Sequence, residues 1–550
     1  MGISSRGVAA LLLVAGWSWT ADAGTYVDKL DDGTVLLKLG PTYGDTVIET
    51  SVGELGPLLG GDTPPYAGTT VRLLTHDEGP NGPISGPIAA LQPVWEELTG
   101  GMLAVDLVPI SDLYPQLMLD LGRGGRDYDA VVVAAHFYGD LIAGNHLAPV
   151  DPLLASGRFP RWSYDDMPPA LRNLYGWGGV GYGVLNDADG QVLYYRRDVL
   201  GDPVHQAAFK EALGYDLPVP PQTWQQVLDV ARFFAGKNWD AHDSQPDSGM
   251  VLHLKPGEQG FYHFQSLSAS FAVAPGATTD RYHNVYWFDP HDMKPLINEP
   301  GHVAALELLL QLAATGPADQ IGWRLPQAWE YFLRGKSVMM FSWGDLGALC
   351  QDERRSLVKG NCAAAMLPGS SRYWDREQAR WVEPAEPNRV GNTTGGSWHG
   401  VVLARSPVQE AAYSFLALMA IRPVSLWAVE NGWTGINPGF RYQMLPPAGE
   451  ARLADYIKAG WNRADVEDYL RAFQATFTAP TMLPHLRIAG TAEYWSALDA
   501  ELAAALGGRK TAKQALDATA AAWDGITDRL GREQQRDAHQ QAIGYEPGRS

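Results

Sequence analysis

Between residues 70 and 134 the chain alternates strand-like and helix-like patterns at short spacing, which restricts the fold more than any other feature. Residues 71–75 (VRLLT), 103–109 and 128–134 (YDAVVVA) are apolar runs of strand length, separated by helical patterns at 88–98 and 113–121. Strand–helix–strand units of this length imply parallel strands with right-handed crossovers, hence an α/β class. In such sheets ligands sit beyond the carboxyl ends of the strands. His76 and Asp77 follow the first strand, and His136 and Phe137 follow the third. These four are binding candidates by position, and they read equally well as solvated loop residues.

A second constraint is the stretch 179–200, GVGYGVLNDADGQVLYYRRDVL. Two strand-like pieces flank a turn rich in Asn, Asp and Gly, residues that tolerate unusual backbone angles. Such a turn links two rigid bodies and absorbs a rotation between them; it also fits a β-hairpin with an Asp-Gly turn. Under the first reading Asn186, Asp187 and Asp189 lie near the floor of a cleft.

The chain has 550 residues, enough for two or more domains, and a formal charge of −20 that argues against nucleic acid and anionic membranes. Its 19 Trp exceed what core packing usually requires, so some are candidates for stacking on a ligand. Residues 1–23 read as a signal peptide: Arg6, the apolar run 8–16, and a small-x-small site with cleavage after Ala23. The expected location is the periplasm. Cys350 and Cys362 flank one short charged segment, and in an oxidising compartment they are expected to form a disulfide; two buried thiols are the alternative. Residues 24–69 read as an N-terminal extension without assignable chemistry, and the polar stretch 531–550 as a flexible tail.

Several motif matches fail on context. Residues 176–181 fit GxGxxG but precede a strand, so no dinucleotide cofactor is expected. Residues 356–359 fit SxxK inside the short segment between the cysteines, without partner motifs. Residues 186–190 lack the ligands of a calcium loop. Six of the 13 His fall between 242 and 302 without a metal-ligand spacing, and no metal is expected.

Six segments in order resemble the extracellular solute-binding proteins of ABC importers, the carbohydrate-binding family 1 related to maltose-binding protein. They are YGVLNDADGQVLYYRRDVL, PPQTWQQVLDVARFF, KPLINEPGHVAALELLLQL, FLRGKSVMMFSWGDL followed by AAAMLPG, GGSWHGVVLARSPVQEAAYSFLALM, and EYWSALDAELAAALGGRKTAKQALDATAAAW. The resemblance covers 70–530. It implies a two-lobed periplasmic binding protein (Venus-flytrap) fold of type II with three interlobe crossovers, here at 185–190, 340–344 and 394–401. The expected first lobe is 70–186 plus 340–395, and the second 190–337 plus 401–530. The extension, the His-rich stretch, an insertion at 372–388 and Leu185 in place of a usual proline depart from the pattern.

The resemblance implies a monomeric periplasmic binder, without cofactor or catalysis, that delivers a small polar solute, a sugar or polyol, to an inner-membrane ABC permease. A secreted carbohydrate-active enzyme with an Asp/Glu pair and a non-transporting periplasmic sensor partner are the alternatives. The site is expected around Trp343 and Asp345 at the second crossover and Trp398 at the third. Trp433 supplies a second wall, Asn186 and Asp187 the floor, and His76, Asp77, His136 and Phe137 approach from strand ends.

Overall fold

Residues 130–134, AVVVA, are buried along their whole length. A parallel strand covered on both faces produces such an unbroken apolar run. In the computed structural model this strand is the middle of a five-stranded sheet, in the order Met102–Val108, Thr70–His76, Ala130–Ala134, Trp398–Val402, Gly183–Asp187. The first three strands are parallel, as the βαβ pattern requires, and Trp398–Val402 runs antiparallel to both its neighbours. The structure describes residues 25–545, apart from 41–42, 45, 77–81, 240–244, 246, 276–284, 393–396, 432–433 and 484. The expected signal peptide, Asp77 and Trp433 lie outside the described residues.

A second sheet has four strands, in the order Ser248–Met250, Ser337–Ser342, Val192–Arg196, Cys362–Ala365. The helices Trp224–Phe234, Phe261–Ala272, Pro300–Ala313 and Arg463–Phe477 pack around it. The chain thus forms two α/β lobes, each around its own sheet. Thr223 and Gln226 form the capping box that starts the helix after Pro220-Pro221, satisfying otherwise orphaned N–H groups.

The lobe boundaries differ from the expected ones. The chain crosses first between Asp187 and Val192, where the NDADG turn was read as a link. Residues 340–344 are no crossover: the strand Ser337–Ser342 pairs with Val192–Arg196 and Ser248–Met250 inside the second sheet, and the next helix, Asp345–Leu349, packs against Arg463–Phe477 of that lobe. The return comes within 366–397, and Trp398–Val402 belongs to the first sheet. Gln409–Ala420 packs on that sheet and Arg422–Glu430 follows it, so the third crossing lies within 431–462. An apolar strand such as SVMMFS is dictated by burial on both faces, and burial alone does not say in which sheet.

The extension is part of the first lobe. Its strands Val27–Lys29, Thr34–Lys38 and Val47–Ser51 form an antiparallel sheet, and Val35, Leu37, Leu55 and Leu59 join the apolar cluster containing Trp95. Residues 532–543 correct the flexible-tail expectation, because Arg532–Ile543 is a helix. Two of its polar residues are buried with partners. Gln535 Nε2 donates to the Ala489 carbonyl (2.8 Å), and His539 Nε2 to that of Phe288 (3.3 Å). On the first-lobe side Trp177 Nε1 donates to Gln541 Oε1 (3.1 Å). This helix therefore joins both lobes.

Cys350 and Cys362 are bonded, with Cα atoms 6.3 Å apart. The bridge ties the end of the helix Asp345–Leu349 to the strand Cys362–Ala365 at the edge of the second sheet.

Candidate ligand site at the lobe junction

The first strand to leave the five-stranded sheet ends at Asp187, and its side chain is almost wholly buried. Buried carboxylates need donors. Asp187 Oδ1 accepts from the Asn437 backbone N–H (2.6 Å) and from Asn437 Nδ2 (3.0 Å). Asn437 Oδ1 in turn accepts from the Tyr469 hydroxyl (3.0 Å). Gly344 makes room for this asparagine, since a Cβ there would overlap the Asn437 carboxamide.

Two further carboxylates converge on Asp187. Asp189 hydrogen-bonds with it and also receives a hydrogen bond from the Trp398 indole. Asp345, in the first turn of its helix, acts on both electrostatically from the second lobe. Burial pushes the Asp187 carboxyl well up, the Asp345 charge adds to this, and the Asn437 hydrogen bonds pull it partly back. Asp189 is raised by burial first, then by Asp187 and Asp345. Three carboxylates crowded in low dielectric cannot all ionise at little cost. The group is suited to accepting hydrogen bonds from hydroxyls or to meeting a cation.

Aromatic rings flank the carboxylates. His76, at the end of the strand Thr70–His76, lies against Trp398 at 4.3 Å and 33°. Trp343 is 3% exposed, and its carbonyl accepts from the Tyr194 hydroxyl (3.0 Å). Its indole sits 5.3 Å from the ring of His253 and 5.8 Å from that of Tyr262. His253 and His263 share a hydrogen bond of 2.9 Å, and burial drives both far below the usual imidazole range, so both are neutral. Nearby on the chain, the Gln191 N–H donates to Asn392 Oδ1 (3.1 Å), and Gln191 Oε1 accepts from the Ser266 hydroxyl (2.8 Å).

The structure thus brings together Asp187, Asp345 and Trp398, with His76 against Trp398 and Trp343 at the second-lobe side. It does not bring all the expected residues there. Asn186 turns the other way along the strand, its amide on Met419 Sδ (3.3 Å). Phe137 packs in the first-lobe core against Tyr114 and His136. His136 is lowered to about 3 by burial and by His485. Asn437, Tyr262, Tyr469 and Gln191 were not among the expected site residues. Asn437 lies in the same NGWTGINPG loop as Trp433, and an Asn before Pro in a Gly-rich loop was the available signal. Among the described residues no group of three or more His, Cys, Asp or Glu side chains is placed to hold a metal ion.

Residues 83–420 match the family model described as bacterial extracellular solute-binding protein. The chain belongs to that family. Solved structures with the same two-lobed fold include a solute-binding protein of Agrobacterium radiobacter K84 in complex with ribitol. It has 20% identity and a TM-score of 0.63, over 84% of this chain and all of that one. Another is the D-mannitol-bound protein of Agrobacterium vitis S4, with 18% identity and a TM-score of 0.60, over 84% and 99% of the two chains. A maltose-bound protein of T. maritima has 17% identity and a TM-score of 0.59, over 83% and 100%. No curated protein matches the sequence.

Proposed function

We propose that the chain captures a small hydroxylated solute, a sugar or polyol, at the lobe junction and delivers it to the permease of an ABC importer. The observation that carries this reading is the convergence of Asp187 and Trp398 of the first lobe with Asp189 of the crossing segment, and its link with Asp345 of the second lobe. Carboxylates accept hydrogen bonds from sugar hydroxyls, and an indole face covers the apolar face of a sugar ring. Because the acceptors come from both lobes, a ligand gains its full set of contacts only when the lobes meet. It therefore shifts a hinge equilibrium toward closure. Related folds whose bound ligands are ribitol, D-mannitol and maltose support the ligand class. The reading includes export to the periplasm with cleavage after Ala23, a monomeric state and no turnover of the solute.

The test is a thermal-shift panel of pentitols, hexitols, monosaccharides and maltose on the mature protein. Binding to the native state alone raises the melting temperature. At least one polyol or sugar is expected to raise it in the wild type and to do so much less in Asp345→Asn. A panel without any shift, or an equal shift in the variant, would overturn the assignment.

A further inference from the structure

A surface cleft of about 810 Å³ opens on the second lobe beside the helix Leu325–Leu333, and none of its lining residues belongs to the junction cluster. Its volume lies within the range of about 300–1,000 Å³ typical of small-molecule sites. We propose that it is a second carbohydrate site, for a sugar residue that carries a carboxylate.

Two features support this occupant. The first is an aromatic wall. The rings of Trp323 and Tyr331 stand 5.2 Å apart at 53°, and the Tyr331 hydroxyl is tied to Ser248 Oγ at 2.9 Å. Leu357, on the cleft, is 57% exposed. Rings and aliphatic carbon beside polar groups suit the mixed faces of a sugar.

The second feature is charge. Arg334 Nε sits 2.7 Å from Glu330 Oε1, and Arg355 Nε sits 3.9 Å from Glu330 Oε2. Lys336, also on the cleft, is paired with Asp247 at 3.5 Å. Two guanidiniums thus share one carboxylate, which leaves one positive charge in surplus on a chain whose formal charge is −20. The planar guanidinium fork matches a carboxylate with two parallel hydrogen bonds. A neutral sugar would leave the surplus charge unused. A small inorganic anion would leave the aromatic wall uncovered.

Affinity electrophoresis of the full mature protein in gels containing polygalacturonate or neutral galactan tests this, with free galacturonate and inorganic phosphate as competitors. The expected result is retardation by polygalacturonate and not by galactan, relieved by galacturonate and not by equal phosphate. Trp323→Ala and Arg355→Gln are each expected to weaken retardation about tenfold, the size of one anchoring contact. Arg471→Gln, a charge removed from a distant exposed helix pair, is expected to change nothing. Because Trp323 packs against Tyr331, Arg355→Gln, at a side chain that is 41% exposed, decides if Trp323→Ala misfolds. Absent retardation, equal retardation by galactan, relief by phosphate, or full retardation of Arg355→Gln would each overturn the proposal. Relief by galacturonate monomer at low concentration would mark a free solute as the occupant. Relief by galacturonate only at high concentration would mark a residue within a polysaccharide chain.

Discussion

Arg487 offers the sharpest test of how the lobes and the C-terminal helix are held together. It is 5% exposed and donates from Nη1 to the carbonyls of Leu174 and Gly176, both at 3.0 Å, and from Nη2 to that of Ala542 (3.1 Å). Its guanidinium also lies 5.5 Å from the ring of Trp177. Burial lowers its pKa to about 10, which still leaves it charged at neutral pH. In Arg487→Gln the shorter amide reaches at most one of the three carbonyls. Two buried acceptors then lack donors, at about 1–3 kcal/mol each. The guanidinium no longer pays its own desolvation, which offsets part of this loss. The expected net loss is about 2–4 kcal/mol. Urea denaturation followed by tryptophan fluorescence reads it as a lower midpoint, and Arg487→Lys should fall between wild type and Gln. A loss below about 1 kcal/mol with unchanged slope would refute the claim that Arg487 fastens the helix to the first lobe.

Trp398→Ala is expected to weaken binding of the solute found by thermal shift by about 1–3 kcal/mol in calorimetry, with a smaller effect on folding. The raised carboxyls of Asp187 and Asp189 set a pH dependence. Raised native values favour folding below the ordinary carboxylate pKa of about 4, and that advantage is lost as pH rises through the raised values. Asp189→Asn should therefore make the fall in urea stability between pH 5 and pH 8 shallower, and an unchanged slope would speak against the raised carboxyls. Removing the disulfide with Cys350→Ser and Cys362→Ser closes no loop in the unfolded chain and should cost about 3 kcal/mol in the same assay.

The sequence carried the βαβ start of the first lobe, missed the later lobe boundaries, and showed the junction only in part. The run YDAVVVA announces a strand because a parallel strand buried on both faces leaves few polar positions, and VRLLT announces one although its Arg72 is exposed. The same logic announced SVMMF but not its sheet, since its partners Val192–Tyr195 stand more than 140 residues away along the chain. Asp187 was legible as a polar residue at a strand end. Asn437 had only a weak local signal, an Asn before Pro in a Gly-rich loop, because its role is set by a hydrogen bond spanning 250 residues. The C-terminal helix misled for a related reason. Two of its three buried residues are Gln535 and His539, polar side chains whose burial is tolerated only because distant carbonyls accept from them. Composition alone marks such a segment as solvated.

The central claim is that solute draws the two lobes together over Asp187 and Asp345. The described chain has no free cysteine, so paired spin labels go only where they are introduced. Leu119→Cys on the first lobe and Val204→Cys on the second use positions that are 50% and 73% exposed. Pulsed electron resonance on this pair, with and without a saturating amount of the solute that raises the melting temperature, should show the distance distribution move and narrow on binding. The same shift should be absent in Asp345→Asn. An unchanged distribution at calorimetrically confirmed saturation would contradict the account.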